Sequence, residues 1–475
     1  MISKGVERWY NKSKKRVGTS DVMKRRNGIR LSMITTSLEE LIPNDHFLRR
    51  LDAAVNFDFI YEELKPYYCA DNGKYSTDPV VIVKSLLIGF LYGINSERRL
   101  EQELKYNVAY RWFLGLGFDE RVPDHSPISQ LRRRKFNDAD IFKKLFMHVL
   151  KLCAETGLIS GKLLITDSTH VKANAAKTSK IKVEIERETS EFFERLDAYE
   201  TAERERLEMP EITRKPSKPK KTGQTQSVTD PEAGWLNCPG KPDGFHFLSH
   251  QTLDAENGII VDAEVSAGNI PDNVPYLEQL ERTEKNLNEL SIEVQAVCAD
   301  SAYDTALIHK ELEERKIAIY TPKKAAADSS KTEYKHENFT YNQDADEFIC
   351  PSGKVLKLRC LQRFETGVFR ECRTAAKDCR DCPNREKCLA PSQKSRKLQV
   401  NIFQEIVDKH HAVDGSAEYN AALRKRQIWC EGTFSNQKSH HNLKQLFRRG
   451  LRAAADHCFL SACAINLKRL VKCSG

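Results

Sequence analysis

The sequence predicts a multidomain α/β protein in which an all-α N-terminal region precedes a mixed β-sheet core with helices, the core being split by insertions. Three observations lead there. A chain of 475 residues exceeds what one hydrophobic core serves and implies about two to four folding units. Apolar positions recur at helical spacing across residues 37–150, whereas short apolar runs of strand character begin only at Leu163. Between those runs the composition changes twice, first to a charged, proline-interrupted segment and then to a cysteine-containing one.

Taken in order, residues 1–36 form a basic arm. Asn44-Asp45-His46 reads as a helix start before Phe47, Leu48 and Leu51, and the stripe continues at Val55 and Phe59. Pro79–Gly93 is the most apolar segment, and at about 15 residues it suits a buried helix rather than a membrane span. Ser96 is placed to cap a helix beginning Glu97-Arg98-Arg99-Leu100. Pro123–Ser129 reads as a turn leading to the basic Arg132-Arg133-Arg134-Lys135, and residues 37–150 suit either a helical DNA-binding module or a generic bundle. A strand is expected over 161–171. Residues 177–235 then read as a charged helix and linker insertion, with Arg214–Lys221 its basic, Pro-interrupted part. Gly244–His250 and Gly258–Val265, joined through Asp254–Gly258, read as a β-hairpin. A helix over Asp272–Leu290, a strand over 294–300, a further helix through Leu312 and a strand at Ile317–Tyr320 complete a pattern compatible with an RNase H-like core. That core is assembled from residues 158–176, 236–330 and 420–475, with a cysteine-rich insertion at 335–395.

The hydrophobic content of 40% suits a soluble globular protein, and no uninterrupted apolar stretch nears the roughly 18 residues a membrane span needs. The N-terminus has basic residues without an apolar signal core, so the expected location is the cytosol, where most of the 14 cysteines stay reduced. Net charge is +9, but its distribution says more: residues 1–30 hold ten Lys or Arg against Glu7 and Asp21, and residues 432–475 hold eight against Asp456 alone. Either end suits a polyanion such as DNA, or is a solvated basic face.

Three carboxylates organise the functional reading. Asp167 ends the apolar run Leu163–Thr166, Asp300 ends Val294–Ala299, and Glu431 lies in the basic, helix-like stretch Arg424–Phe434. Carboxylates at the ends of buried strands are costly to desolvate unless paired or holding a cation. Three that converge would bind two Mg²⁺ or Mn²⁺ ions roughly 3.5–4 Å apart for phosphoryl transfer. Either aspartate alone is better read as a turn cap; the combination is more specific. On a helix, Glu431, Phe434 and Lys438 share one face. Lys438, about 10 Å along the axis from Glu431, is placed to hold a substrate phosphate or is simply solvated. Phe434 reads as core, and Trp429 as packing or a base-stacking platform. Arg448, Arg449 and Arg452 suit DNA backbone contacts.

With these stretches in view, the chain resembles bacterial insertion-sequence transposases of the DDE class with an N-terminal helical transposase domain and a cysteine-containing insertion before the glutamate. The matching stretches are Asp167–Ala175, Thr229–Gly234, Ala299–Tyr303 and Glu431–Phe434 with Lys438, preceded by Leu41–His46 and Pro123–Ser126. The resemblance implies that Asp167, Asp300 and Glu431 are the catalytic, metal-binding triad, and that Lys438 matches the lysine seven residues after the family glutamate. One departure stands out: the family's Tyr and Arg, seven and four residues before the glutamate, fall on Arg424 and Gln427. Arg426 is the candidate to take the arginine's role.

In the insertion, Cys350, Cys372, Cys379, Cys382 and Cys388 include the pair Cys379-Arg380-Asp381-Cys382. Four thiolates suffice for a structural zinc site, and the alternative is reduced thiols without metal. The resemblance favours Cys350, Cys379, Cys382 and Cys388, because related chains carry an aromatic in place of Cys372. No His partner for thiol catalysis is evident nearby, and Cys360 and Cys430 have no assigned role. The expectation is a metal-dependent DNA transposase that binds terminal inverted repeats, cleaves and transfers strands, and works as a homodimer on double-stranded DNA. The rivals are a nuclease without strand transfer and an idle DNA-binding derivative.

Overall fold

The computed structural model describes residues 35–68, 77–186, 191–210, 221–237, 243–324, 333–342, 345–364 and 366–473. Residues 1–34 of the basic arm and 211–220 of the linker lie outside the described residues. Met1–Leu41 and Ile42–Gly475 are separate compact units. Of the first, Leu38–Leu41 is a short helix. The second holds every other described helix and strand.

Five of the N-terminal helices start on a side-chain cap. The His46 ring accepts the Leu48 N–H at 3.2 Å to open α1, Phe47–Ala54. After α2, Phe59–Leu64, Asp78 accepts from Val80 at 2.8 Å to open α3, Pro79–Leu91, whose Pro79 fills the first-turn position where an N–H has no partner anyway. Ser96 caps α4, Glu97–Tyr106, and Asn107 caps α5, Val108–Leu114, which ends on left-handed Gly115. The expected turn at Pro123–Ser129 is instead mostly helix: Asp124 accepts from the Ser126 N–H at 2.8 Å, and α6 spans His125–Leu131. Pro127 marks a turn by composition, but it lies in the first helical turn, where proline is tolerated. Helix α7, Ile141–Glu155, buries Ile141, Phe142, Leu145, Phe146, Val149, Leu150 and Cys153 on one face.

The central sheet is built on β1, Leu164–Lys172. Beyond it, β2 (Lys180–Glu186), α8 (Glu191–Arg206) and β3 (Lys221–Ser227) form the first insertion. Strand β4, Gly234–Leu236, pairs with the start of β5, Gly244–Asp254, which runs antiparallel to β1 from Leu164↔Asp254 to Lys172↔His246. Strand β6, Ile260–Ala267, lies antiparallel on the other edge of β5. After α9, Tyr276–Glu289, β7 (Ala296–Cys298) returns parallel to β1; α10, Ala306–Arg315, then leads to β8 (Ala318–Tyr320), parallel to β7. The order β6-β5-β1-β7-β8, antiparallel on one side of β1 and parallel on the other, is the RNase H-like arrangement. One point differs from the sequence reading. The apolar run stops at Thr166, but the ladder with β5 continues to Lys172, so Asp167 stands inside its strand rather than at its end.

Between β8 and the C-terminal helices lies a five-stranded antiparallel sheet: β9 (Thr340–Asn342), β10 (Glu347–Ile349), β11 (Val355–Phe364), β12 (Gly367–Arg373) and β13 (Lys397–Asn401). It has a small core of Phe339, Phe348, Leu356, Cys372, Leu398 and Val400. The described residues of the charged stretch 177–235 are built into the fold. Strands β2 and β3 pair antiparallel, and α8 binds the insertion sheet through Arg370–Glu203 at 2.8 Å, Arg363–Asp197 at 2.9 Å and Arg206–Asp346 at 2.9 Å.

The chain then forms α11 (Gln404–His411), α12 (Ala417–Arg426), a π-helical turn (Gln427–Glu431), α13 (Gly432–His440) and α14 (Leu451–Cys473). Helix α14 is the spine. It packs on α3 and α7 and on β6, so the N-terminal helices and the sheet share one apolar core. Gln279 of α9 donates to Thr252, while Cys458 of α14 meets Ser249; alternate residues of β5 face opposite sides, so the two helices sandwich the sheet. The motif Thr229–Gly234 has a structural task here. Asp230 and Glu232 accept the Gly450 and Leu451 N–H groups at 3.1 and 2.9 Å and hold the start of α14. Gly234 is required by close approach, since a Cβ would fall 2.2 Å from the Asn269 side chain.

Candidate active site

Pairing of β7 with β1 brings Asp300, two residues beyond Cys298, beside Asp167 on the central strand. The Asp300 carboxylate accepts the Ala302 N–H at 2.8 Å and so fixes the turn Ser301–Tyr303. One cation reaches both aspartates: the Arg426 guanidinium lies 3.0 Å from an Asp167 oxygen and 3.8 Å from an Asp300 oxygen. Burial pushes the Asp167 carboxyl up to about 6, aided by the charges of Asp300 and Asp272 and opposed by Arg426 and the Ser168 N–H. Burial alone would lower Arg426, but Asp167, Cys430 and Asp300 hold it above its ordinary value. Like charges have therefore been gathered, and a positive group is needed among them.

Asp272 was not singled out by the sequence. It lies in the turn after β6, and its carboxylate accepts the Ser168 hydroxyl at 2.7 Å, fixing the residue next to Asp167. The signal available was Asn269-Ile270-Pro271-Asp272, a turn composition right after a strand. Burial pushes the Cys298 thiol up to about 12 and the Cys430 thiol well above its usual value, so the cysteines beside the aspartates stay protonated.

Arg426 reaches the aspartates because of the π-helical turn that packs against β1. In an α-helix the residue four before Glu431 lies behind it; the turn Gln427–Glu431 accommodates one extra residue, so Arg426 takes the place that regular winding would give Gln427. Glu431 ends this turn with an exposed side chain. Among the described residues, three ligand atoms of His, Cys, Asp or Glu fall within 4.8 Å of one another at Asp304, His309 and His411. The carboxylates of Asp167, Asp300 and Glu431 do not form such a closed set.

Two family matches bear on this arrangement. A transposase domain (DUF772) matches residues 36–134, and a transposase DDE domain matches residues 349–471. Together the two matches support a DDE-class transposase. The second span holds Glu431 and the cysteine insertion, whereas Asp167 and Asp300 lie outside it. Among solved structures, the chain is similar at 10% identity to a piggyBac transposase in a synaptic complex with hairpin DNA, over 90% of this chain and 73% of that one, with a TM-score of 0.32. A Mos1 mariner paired-end complex with Mn aligns at 11% identity over 66% of this chain and 65% of that one, with a TM-score of 0.16. No protein of curated function matches with significance.

The other residues expected to act in a DDE transposase have varied surroundings. Phe434 is buried and Lys438 half-buried on α13. Trp429 packs: its ring lies against Gly258, its Nε1–H donates to Ala255 O at 3.0 Å, and the Arg469 guanidinium lies 5.1 Å above it. Arg448 pairs with buried Asp456 at 2.9 Å, while exposed Arg449 donates to Asn174 O at 3.0 Å. In the insertion, Cys350, Cys379, Cys382 and Cys388 line one small cavity. There the Cys350 sulfur accepts the Lys354 N–H at 3.3 Å, Thr374 Oγ1 lies 3.0 Å from Cys379 Sγ, and Ser352 Oγ lies 3.3 Å from Cys382 Sγ. Cys372 lies apart in the insertion's core.

Proposed function

We propose that this chain is a DNA transposase that binds the terminal inverted repeats of its own element, cuts the DNA there and transfers the freed strand end to target DNA. The observation that carries the reading is the meeting of Asp167 and Asp300 around one cation, the Arg426 guanidinium. That guanidinium stands in for a metal, and the all-oxygen donor set of Asp167, Asp300 and Glu431 fits Mg²⁺ or Mn²⁺. When bound, a pair of such ions supplies charge stabilisation at phosphate and a more acidic attacking oxygen.

The chain's own groups prepare that chemistry. Asp272, through Ser168, and the Ala302 N–H, on Asp300, hold the two aspartates in fixed orientations before DNA arrives. Arg426 offsets their repulsion in the metal-free state. Lys438 and Arg449 would contact DNA phosphate, with Arg448 ordering the segment between them through Asp456. In the first step, water oxygen bonds to phosphorus, the P–O3′ bond breaks and the 3′ oxygen leaves as hydroxyl. In the second, that hydroxyl attacks a target phosphodiester and displaces another 3′ oxygen. Two DNA ends must be held together, so a homodimer is the proposed active form. The four thiols of Cys350, Cys379, Cys382 and Cys388, gathered at one cavity with N–H and O–H groups on three of the sulfurs, would hold a structural zinc.

The test is cleavage of DNA carrying the flanks of the gene, with Mg²⁺ or Mn²⁺, comparing the native chain with Asp300→Asn. Metal-dependent nicking at the element boundary, lost in the variant, is expected, followed by joining to target DNA. Nicking without joining would reduce the reading to a nuclease. Folded protein that binds these ends without cutting them would make it an idle DNA-binding derivative.

A further inference from the structure

Four residues beyond Asp300, a polar cluster joins the two halves of the catalytic region across the whole insertion. Asp304 Oδ1 lies 2.8 Å from Nε2 of His309 on α10 and 2.9 Å from Nε2 of His411 on α11. Both histidines are buried, at 1% and 7% exposure. Each ring is held from behind. His411 Nδ1 lies 3.0 Å from Asp414, and His309 Nδ1 lies 2.9 Å from His410 Nδ1, whose Nε2 meets Glu313 at 2.9 Å. The Lys324 N–H donates to the other Asp304 oxygen at 2.6 Å, and Lys409 pairs with Glu313.

Proton counting shows what this arrangement lacks. Four of the ring nitrogens face carboxylates and must each carry a proton, and the Nδ1–Nδ1 contact needs one more, five in all. Three neutral imidazoles supply three. Without metal, the network is complete only when two of the rings are imidazolium, in a buried place. A divalent ion held by Asp304, His309 Nε2 and His411 Nε2 would replace the two Nε2 protons. The three that remain then fit without conflict: His411 Nδ1–H to Asp414, His309 Nδ1–H to His410 Nδ1, and His410 Nε2–H to Glu313. This backing of each ligating imidazole by a carboxylate, directly or through one ring, is what oriented metal ligands require.

We propose that Asp304, His309 and His411 form a transition-metal site, with zinc the ion that two imidazoles and one carboxylate suit best. The site is distinct from the oxygen-only triad and from the cysteine cavity. Its ion clamps α10, which follows the Asp300 turn, to α11, from which the chain leads to Arg426 and Glu431. It therefore closes a long loop that contains the insertion and fixes one half of the active site against the other.

The test uses the full tag-free chain stripped of metal and titrated with Co²⁺, then with Zn²⁺. Nitrogen and oxygen ligands give Co²⁺ visible d–d bands without the sulfur-to-metal charge-transfer band that a cysteine site adds. The expected result is a thiolate-free Co²⁺ component that persists in Cys382→Ser and disappears in both His411→Gln and Asp304→Asn. Co²⁺ binding should release up to two protons per ion at this site, and Zn²⁺ should then displace the Co²⁺ without further release. His411→Gln can still donate to Asp304, and circular dichroism checks that each variant is folded. Absence of that component in the folded native chain would overturn the proposal, as would its survival in the folded His411→Gln and Asp304→Asn variants.

Discussion

Replacing Arg426 with Gln separates its two consequences, on metal and on DNA. The guanidinium lies 3.0 Å from Asp167 and 3.8 Å from Asp300, with about a fifth of its side chain exposed. At an effective dielectric constant near 20, a contact at 3–4 Å is worth roughly 4–6 kcal/mol of gross Coulomb energy. Desolvation of the arginine and the exposure of Asp300 remove much of that. A divalent ion entering between the aspartates must compete with what is left, about 1–3 kcal/mol. Removing the competitor should therefore tighten Mn²⁺ binding by roughly 5- to 150-fold. Isothermal titration of folded Arg426→Gln against the native chain measures it. DNA cleavage should fall in the same variant, because the aspartates lose their preset orientation. Unchanged or weaker Mn²⁺ binding in a folded variant would refute the idea that Arg426 occupies the cation's place.

Further outcomes concern the frame around the site. Asn466, fully buried on α14, accepts the Ile260 N–H at 2.9 Å and donates to Ile260 O at 2.8 Å; Asn466→Leu strands both backbone groups and should cost about 2–4 kcal/mol, read as a lower urea midpoint. Gly258 has φ +72°, and a Cβ there would come within 2.3 Å of the Trp429 ring, so Gly258→Ala should displace the indole and change its fluorescence as well as lowering stability. If Cys350, Cys379, Cys382 and Cys388 bind zinc, Cys382→Ser should lose the sulfur-to-cobalt charge-transfer band and lower the melting temperature of the insertion, and a chelator should lower the native chain's melting temperature.

The fold was legible in the sequence where burial is apolar. Helix α7 repeats its buried residues with helical period, and the runs of β5 and β6 reverse direction around Asp254–Gly258, so local pattern and tertiary packing agree. The first insertion was harder to read because its contacts are ionic: Glu200 and Glu203 are buried on α8, and Arg370 meets Glu203. Composition reads such a segment as a charged helix and linker, and misses its two strands. Yet Lys180-Ile181-Lys182-Val183-Glu184-Ile185-Glu186 alternates with period two, and that was the legible sign of β2. The site was legible as Asp167 and Asp300 because each follows a buried run. Asp272, His309 and His411 were not, since the contacts Asp272–Ser168, His309–His410 and His411–Asp304 form only when distant segments pack together.

The departure at Arg424 and Gln427 shows how local geometry and chemistry trade against each other. Arginine four residues before the glutamate would share its face on a regular helix. Here the arginine stands five residues before, which on an α-helix would turn it away. The π-helical turn restores the facing at the cost of one backbone step of irregular hydrogen bonding. A side-chain substitution and a winding defect thus compensate, and the guanidinium still meets Asp167. Deleting Gln427 should straighten the turn and leave Arg426 four residues before Glu431, the spacing an unbroken helix needs. If the π turn exists to position Arg426, the deletion variant keeps DNA cleavage within about tenfold while an alanine insertion after Gln427 abolishes it, a tenfold change being about 1.4 kcal/mol of barrier. Loss of cleavage in the folded deletion variant would show that the turn positions Glu431 or its neighbours instead.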